Sequence, residues 1–463
     1  MTSAAFSYPL EKRNTMELPL GYQNFEELRK EDCYYVDKTQ LLHQLVTIGR
    51  YYFLSRPRRF GKTLFVSTLE CLFEGKKELF KDLYIYDKWD WSQKNPVLRI
   101  SFGGKEFNNE NDLEEHIFAF LEKLEDKYNI PASDELKLSA SIRLQKILEH
   151  MYTINSQQKV VVLVDEYDKP ILDALENQEL SKKNRSTLRG FYGTLKESDD
   201  HIRFIFVTGI SMFSKSTVFT GFNHLTDISL HPQFASICGY TDKELDTVFA
   251  PELKNFDRKK IRTWYNGYSW LGEEKIYNPH GILKLFFHKK YMYWWLEDGT
   301  PRYLYYYLIK ERVRPLDLEN CLISYQGLVN FDMESMEVEA LYFQSGFLTI
   351  QEELYIEDDI YYRLDYPNLE VKKSFHNGLM KYITMGKIKS QYQSELTGYL
   401  ANNNFKQFYD HLRIALEGKP YQWNLRSGDK SFFDYEYCYS FFLYASLYSK
   451  SLDIRVEQSS KAG

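Results

Sequence analysis

The 463-residue chain has only five cysteines, Cys33, Cys71, Cys238, Cys321 and Cys438, and none are paired at the short spacing of a zinc site or a disulfide framework. That scarcity points to a reducing environment. Nowhere is there an uninterrupted apolar run of the roughly 20 residues that a membrane span needs. Met1 to Arg13 also lacks the apolar centre of a signal peptide, so the expected setting is cytoplasmic with no membrane partner. A positive charge surplus is missing as well. The net charge is −6 with a sequence pI near 6.0, so no global field draws the chain to nucleic acid, and such binding would need a local patch. Aromatics are plentiful at 17%, with 38 tyrosines that can pack the ring and hydrogen-bond the hydroxyl. With 43% apolar residues and this length, the chain is expected to form two or three domains.

From Tyr51 an apolar stretch runs through Tyr52, Phe53 and Leu54 into Arg56-Pro57-Arg58-Arg59-Phe60-Gly61-Lys62-Thr63. The usual phosphate loop is G-x-x-x-x-G-K-[ST], and its first glycine is absent because Arg56 stands there. Alone, the string also fits a plain strand-to-helix turn. Its context favours a nucleoside-triphosphate site, because Phe65, Leu69, Leu72 and Phe73 have helical spacing and give a strand-loop-helix setting. Such a turn presents backbone N–H groups and a helix N-terminus to phosphate. Lys62 adds a point charge and the Thr63 hydroxyl can ligate Mg²⁺. Arg58, Arg59, Phe60, Gly61 and Leu64 are the further nucleotide-contacting candidates. Of Arg56, Arg58 and Arg59, at least one is expected on phosphate, since guanidinium forks pair with its oxygens; a solvated basic turn is the alternative.

Lys159 to Val164 reads as a strand covered on both faces, and it ends in Asp165-Glu166. Catalytic groups in parallel sheets lie at the carboxyl ends of strands. Asp165 is the candidate for the metal's hydration shell. Glu166 is the candidate base that orients and deprotonates the attacking water. A helix N-cap by Asp165 or Asp168 is the competing reading. Thr208 and Ser211, at the end of a later strand, could sense the γ-phosphate or simply cap a turn.

Strands at residues 51–54, 96–102, 159–164 and 202–209 alternate with helical patterns, which predicts an α/β fold with a parallel sheet and helices on both faces. A fifth strand is expected within His224 to Leu230. A strand intervenes between the Gly-Lys-Thr strand and the acidic one, and with Glu166 beside Asp165 this points to the NTPase division that hydrolyses through a strand-borne glutamate. Thr241 to Glu244 resembles a capping box, and residues 240–310 read as a helical lid. Ala340 to Ile350 reads as a helix capped by Gly346 and followed by a strand, with a hairpin from Leu354 to Tyr366. The expected winged-helix-like region has an acidic wing of Glu352, Glu353, Glu357, Asp358 and Asp359, which disfavours DNA.

The blocks Tyr34 to Thr39, Arg56 to Thr63, Asp165-Glu166-Tyr167-Asp168-Lys169-Pro170, Thr208 to Ser211, Asn223 to Ser229, Tyr277-Asn278-Pro279 and Pro367-Asn368-Leu369-Glu370-Val371 together resemble the bacterial AAA-ATPase-like family of P-loop NTPases. The resemblance runs over about residues 18–430. It implies that Arg56 is a family trait. It also implies an ATP site with Lys62 and Thr63 on phosphate and Mg²⁺, Asp165 on Mg²⁺ and Glu166 as base. The implied organisation is a P-loop domain over 18–238, a lid over 239–310, a winged-helix-like region over 311–425, and a partial PD-(D/E)XK nuclease-like segment (DUF1703) over 426–463. That last segment contains Glu436 but lacks the metal-binding Asp and Glu-x-Lys strand, so no nuclease activity is expected. The sequence implies Mg²⁺-dependent ATP hydrolysis coupled to the C-terminal regions. The alternatives are a nucleotide-dependent binding switch or a DNA-processing protein. A protein or DNA partner and a homo-oligomer stay open.

Overall fold

Short runs of β-branched and aromatic residues pair in register because each is buried on both faces. The computed structural model describes residues 16–130, 138–212, 218–219, 224–295, 302–329, 337–383 and 391–417, so the nuclease-like reading of 426–463 lies outside the described residues. Strands β1 (Tyr51–Ser55), β2 (Val97–Ser101), β3 (Val160–Asp165), β4 (Ile202–Gly209) and β5 (Thr226–Asp227) form one sheet in the order β2-β3-β4-β1-β5. Every pairing in it is parallel. All residues of β1 and β3 are buried, as expected of inner strands covered by helices. This flanked parallel sheet is compatible with a P-loop-like fold.

The sheet order refines the expectation about the intervening strand. In the chain β2 separates β1 from β3, but in the sheet β4 does. Ser55 pairs with Gly209 and Ser101 with Asp165, so the phosphate loop and the acidic exit leave the same edge with one strand between them. The helix Asp112–Lys127 buries Leu113, Ile117, Leu121 and Leu124, the face read from its spacing.

Residues 239–310 contain the helices Asp242–Val248, Ala250–Leu253, Arg258–Tyr265, Pro279–His288 and Arg302–Lys310. The expected capping box is present: Thr241 accepts from the Glu244 N–H and Glu244 accepts from the Thr241 N–H. Further on, β6 (Cys321–Ser324), β7 (Thr349–Ile356) and β8 (Asp359–Asp365) make an antiparallel sheet in the order β6-β8-β7. The strand after Gly346 and the first arm of the expected hairpin are one strand, β7. Glu357 and Asp358 turn the hairpin with φ of 53° and 75°, the left-handed pair of a two-residue turn. β6 went unread because it is four residues long and only Ile323 is buried.

The large core does not stop at the sheet. It continues from Leu54 and Val207 through Tyr268 and Trp270 to Leu341, Tyr342 and Phe375. A second cluster joins Tyr34 and Val36 of the N-terminal segment to Leu245, Tyr265, Ile282 and Trp294. The Gly-Lys-Thr loop places Phe60 in the first of these clusters. Gly346, at φ +84°, packs so closely on the loop that a Cβ there would lie 2.6 Å from the Pro57 Cβ.

Candidate functional site

The loop after β1 closes because Gly61 adopts φ +92°, a conformation other residues enter at a cost, and the helix Lys62–Phe73 begins immediately after it. Helix start and strand end thus aim free backbone N–H groups into one cleft of about 490 Å³. Arg58, Arg59, Gly61, Lys62, Thr63 and Leu64 line it, and Phe60 reaches its edge. Glu166 and Asp168 line the facing side.

Lys62 is buried, and its ammonium donates to the carbonyls of Arg56 and Pro57, both at 2.9 Å. Burial pushes its affinity for a proton down, against the pull of Asp165, Glu166 and Asp168. The loop therefore curls around its own lysine, holding the charge where an anion can compete for it. Thr63 is half-buried beside it.

Asp165 is 1% exposed, and its Oδ1 has no hydrogen-bond partner among the described residues. A buried carboxylate oxygen left unpartnered is costly unless a ligand or its water completes it. On its other side Arg99 approaches Oδ2 at 4.0 Å while pairing with Glu70 on the loop helix at 2.9 Å. The donor set of Thr63 and Asp165 fits a hard cation such as Mg²⁺, which takes few protein ligands and keeps phosphate and water. No cluster of three or more His, Cys, Asp or Glu that could hold a metal occurs among the described residues.

Glu166 has φ 53°, a strained conformation for a non-glycine residue. Its Oε2 sits against the turn after β2, 3.1 Å from where a Cβ on Gly103 would be. Burial raises its carboxyl, and Lys62 and Arg58 oppose the rise.

The three arginines have different fates. Arg56 is fully buried, with its guanidinium donating to the carbonyls of Ser55, Ser229, Phe234 and Ala235 and lying 4.2 Å from the centroid of the Trp270 ring. It is not among the residues that line the cleft, and burial lowers it to about 10. Arg58 is exposed in the cleft. Arg59, at φ 68°, donates to His280 Nε2 at 2.5 Å and to the Trp294 carbonyl at 3.3 Å. The Phe60 ring packs edge-on against Tyr268 and Trp270.

Thr208 is fully buried and donates to the Leu54 carbonyl, tying β4 to β1 rather than reaching the cleft. Ser211 donates its hydroxyl to Asp168 Oδ2 at 2.6 Å, and the same oxygen accepts from the Ile210 and Ser211 N–H groups. Asp168, a cap only in the competing reading, is a buried carboxylate that holds the exit of β4, and burial raises it.

The far half of the cleft was not legible in the sequence. Tyr34, Tyr35, Val36, Tyr240 and Leu283 give it an apolar wall. Lys38 sits beside them, its ammonium held by both oxygens of Glu244 at 2.6 and 2.7 Å. Only the Thr241-x-x-Glu244 capping pattern hinted at an ordered acidic residue there. An apolar wall facing a polar phosphate loop can hold an amphiphilic ligand with an anionic end.

Residues 19–219 match the family model described as predicted AAA-ATPase. An uncharacterized protein encoded in the vnfD 5′ region of Azotobacter chroococcum mcd 1 is 39% identical over 449 residues, which cover 96% of this chain and 86% of that relative. No solved structure matches the chain.

Proposed function

We propose, from the match of residues 19–219 to the predicted AAA-ATPase family, that this cleft binds ATP with Mg²⁺ and hydrolyses it. The observation that carries the reading is Lys62 curled into the loop carbonyls at a helix N-terminus, across one cleft from Glu166 and beside the unpartnered Asp165 oxygen. Phosphate oxygens replace the loop carbonyls as acceptors for Lys62, and the loop N–H groups and Arg58 take further oxygens. Thr63 and Asp165 would hold Mg²⁺, which would supply charge neutralisation on the phosphates. Glu166 accepts a proton from the attacking water as its oxygen bonds to the γ-phosphorus and the bond to the bridging oxygen of ADP breaks. The apolar wall at Tyr34, Val36 and Leu283 shields the base.

Multiple-turnover phosphate release tests the proposal. Lys62→Ala is expected to lose nucleotide binding. Glu166→Gln is expected to retain binding and lose about 10²–10⁴-fold in turnover, the usual worth of a positioned base. Equal turnover in wild type and Glu166→Gln removes Glu166 from the reaction.

A second reading is a nucleotide switch with slow hydrolysis, in which ATP stabilises one conformation. Binding without phosphate release would select it. In either case the contact of Gly346 with Pro57 offers a route for coupling to the C-terminal region. A DNA-processing role is carried only by the sequence resemblance at 426–463. Plasmid cleavage with Mg²⁺ or Mn²⁺ tests it, with no cleavage expected.

A further inference from the structure

Glu370, on the helix Leu369–Ile383, lies far from the phosphate loop in sequence, and the described fold buries it to 1% exposure behind that loop. Its Oε1 accepts from the main-chain N–H groups of Trp294 at 2.7 Å and Trp295 at 2.9 Å. Its Oε2 packs against the start of the helix Pro279–His288, where a Cβ on Gly281 would lie 2.9 Å away.

The groups Glu370 holds are the ones that hold the loop. The Trp294 carbonyl accepts from Arg59, and the Trp295 indole N–H donates to the Arg58 carbonyl at 3.4 Å. Asn278, which caps the same helix through the His280 and Gly281 N–H groups, donates to the Arg58 carbonyl at 3.5 Å. His280, the next residue but one, accepts from Arg59. Arg59 is the left-handed corner of the loop, a conformation that persists only when its surroundings impose it.

We infer that Glu370 is a positioning residue of the nucleotide site, fixing the Arg58-Arg59 corner of the phosphate loop through Trp294, Trp295 and the start of the Pro279–His288 helix. Only the corner's geometry depends on it; Glu370 touches no ligand. The inference rests on the ATP reading for its effect on affinity, but its structural content does not.

Hydrogen exchange on the full-length, nucleotide-free protein tests that content directly. Glu370→Ala is expected to speed exchange of the amides of residues 294–295 and of Gly239, which donates to the Phe60 carbonyl of the loop, by about tenfold or more, the worth of the lost hydrogen bonds. The amides of β3 should keep their protection. Glu370→Gln keeps a carbonyl acceptor and should restore slow exchange. Glu370→Asp, one methylene short, should behave like Glu370→Ala and serves if that variant does not fold. Binding of a fluorescent ATP analogue should weaken about tenfold in Glu370→Ala and Glu370→Asp with kcat at saturation unchanged.

Unchanged exchange at Gly239 when 294–295 is deprotected overturns the inference. So does a loss of protection spread equally over β3, or failure of Glu370→Gln to rescue. If wild type binds no ATP analogue, the ATP reading fails while the exchange result still decides the role of Glu370.

Discussion

Between Arg56 and Thr63 the phosphate loop has two faces, and residues of the same type fall on opposite ones. Arg56 and Phe60 point into the body of the protein, where the guanidinium is surrounded by four carbonyls and the ring by Tyr268 and Trp270. Arg58, Lys62 and Thr63 line the cleft. The inward face resembles a protein core with one polar group satisfied almost entirely by backbone. The outward face keeps Arg58 exposed and holds the Lys62 ammonium on loop carbonyls. A buried arginine under the loop thus does framework work, leaving the second glycine, Gly61, to make the turn.

The comparison can be broken by exchanging the fates of the two arginines. Arg56→Ala leaves the Ser229, Phe234 and Ala235 carbonyls short of a donor. It is expected to cost about 3–4 kcal/mol, the range for breaking a buried charged network, read as a lowered denaturant midpoint. Arg56→Lys should not restore it, because a point charge cannot span several carbonyls as a planar fork does. Arg58→Ala is expected to leave the midpoint in place and to weaken ATP binding by about tenfold, as for one lost charge-assisted pair. Equal destabilisation by Arg56→Ala and Arg58→Ala in denaturant titrations would mean that the loop does not have two faces.

A pH effect sharpens the inward face. Burial raises the Glu370 carboxyl from 4.5 to about 8, against hydrogen bonds from Trp295 and Trp294 and the charge of Arg59. Tyr265 and Tyr268 also feel its charge from the segment packed against it. The folded state therefore holds this proton more tightly than the unfolded one. The contribution of Glu370 is full below the unfolded pKa of 4.5 and is lost as pH rises through about 8. Relative to Glu370→Gln, wild type should lose at most about 1.4 kcal/mol per pH unit across that window. A wild-type profile parallel to that of Glu370→Gln would show that Glu370 does not titrate there.

Much of the sheet was legible because each strand is a local run. Val160–Asp165 is apolar without a break until its last residue, and a strand buried on both faces needs nothing more to be recognised. The Gly-Lys-Thr turn was legible for the same reason, since strand, loop and helix are consecutive. The role of Thr208 was not. A threonine at a strand end can face a ligand or a neighbouring strand, and β4 insertion between β1 and β3 turned its hydroxyl to Leu54. Asp168 was visible only as an acid near the motif, because its partners Ile210 and Ser211 arrive from another strand.

The sequence alone determined which segments become strands and helices, and which short blocks can meet phosphate, because those properties depend on neighbours a few residues apart. Tertiary structure decided which face each loop residue takes. It turned Arg56 into a buried brace, left Asp165 with an unpartnered oxygen near Lys62, and brought Glu370 behind the loop. These outcomes depend on which distant segments bury one another, and a buried polar group takes its role from the partners that folding supplies.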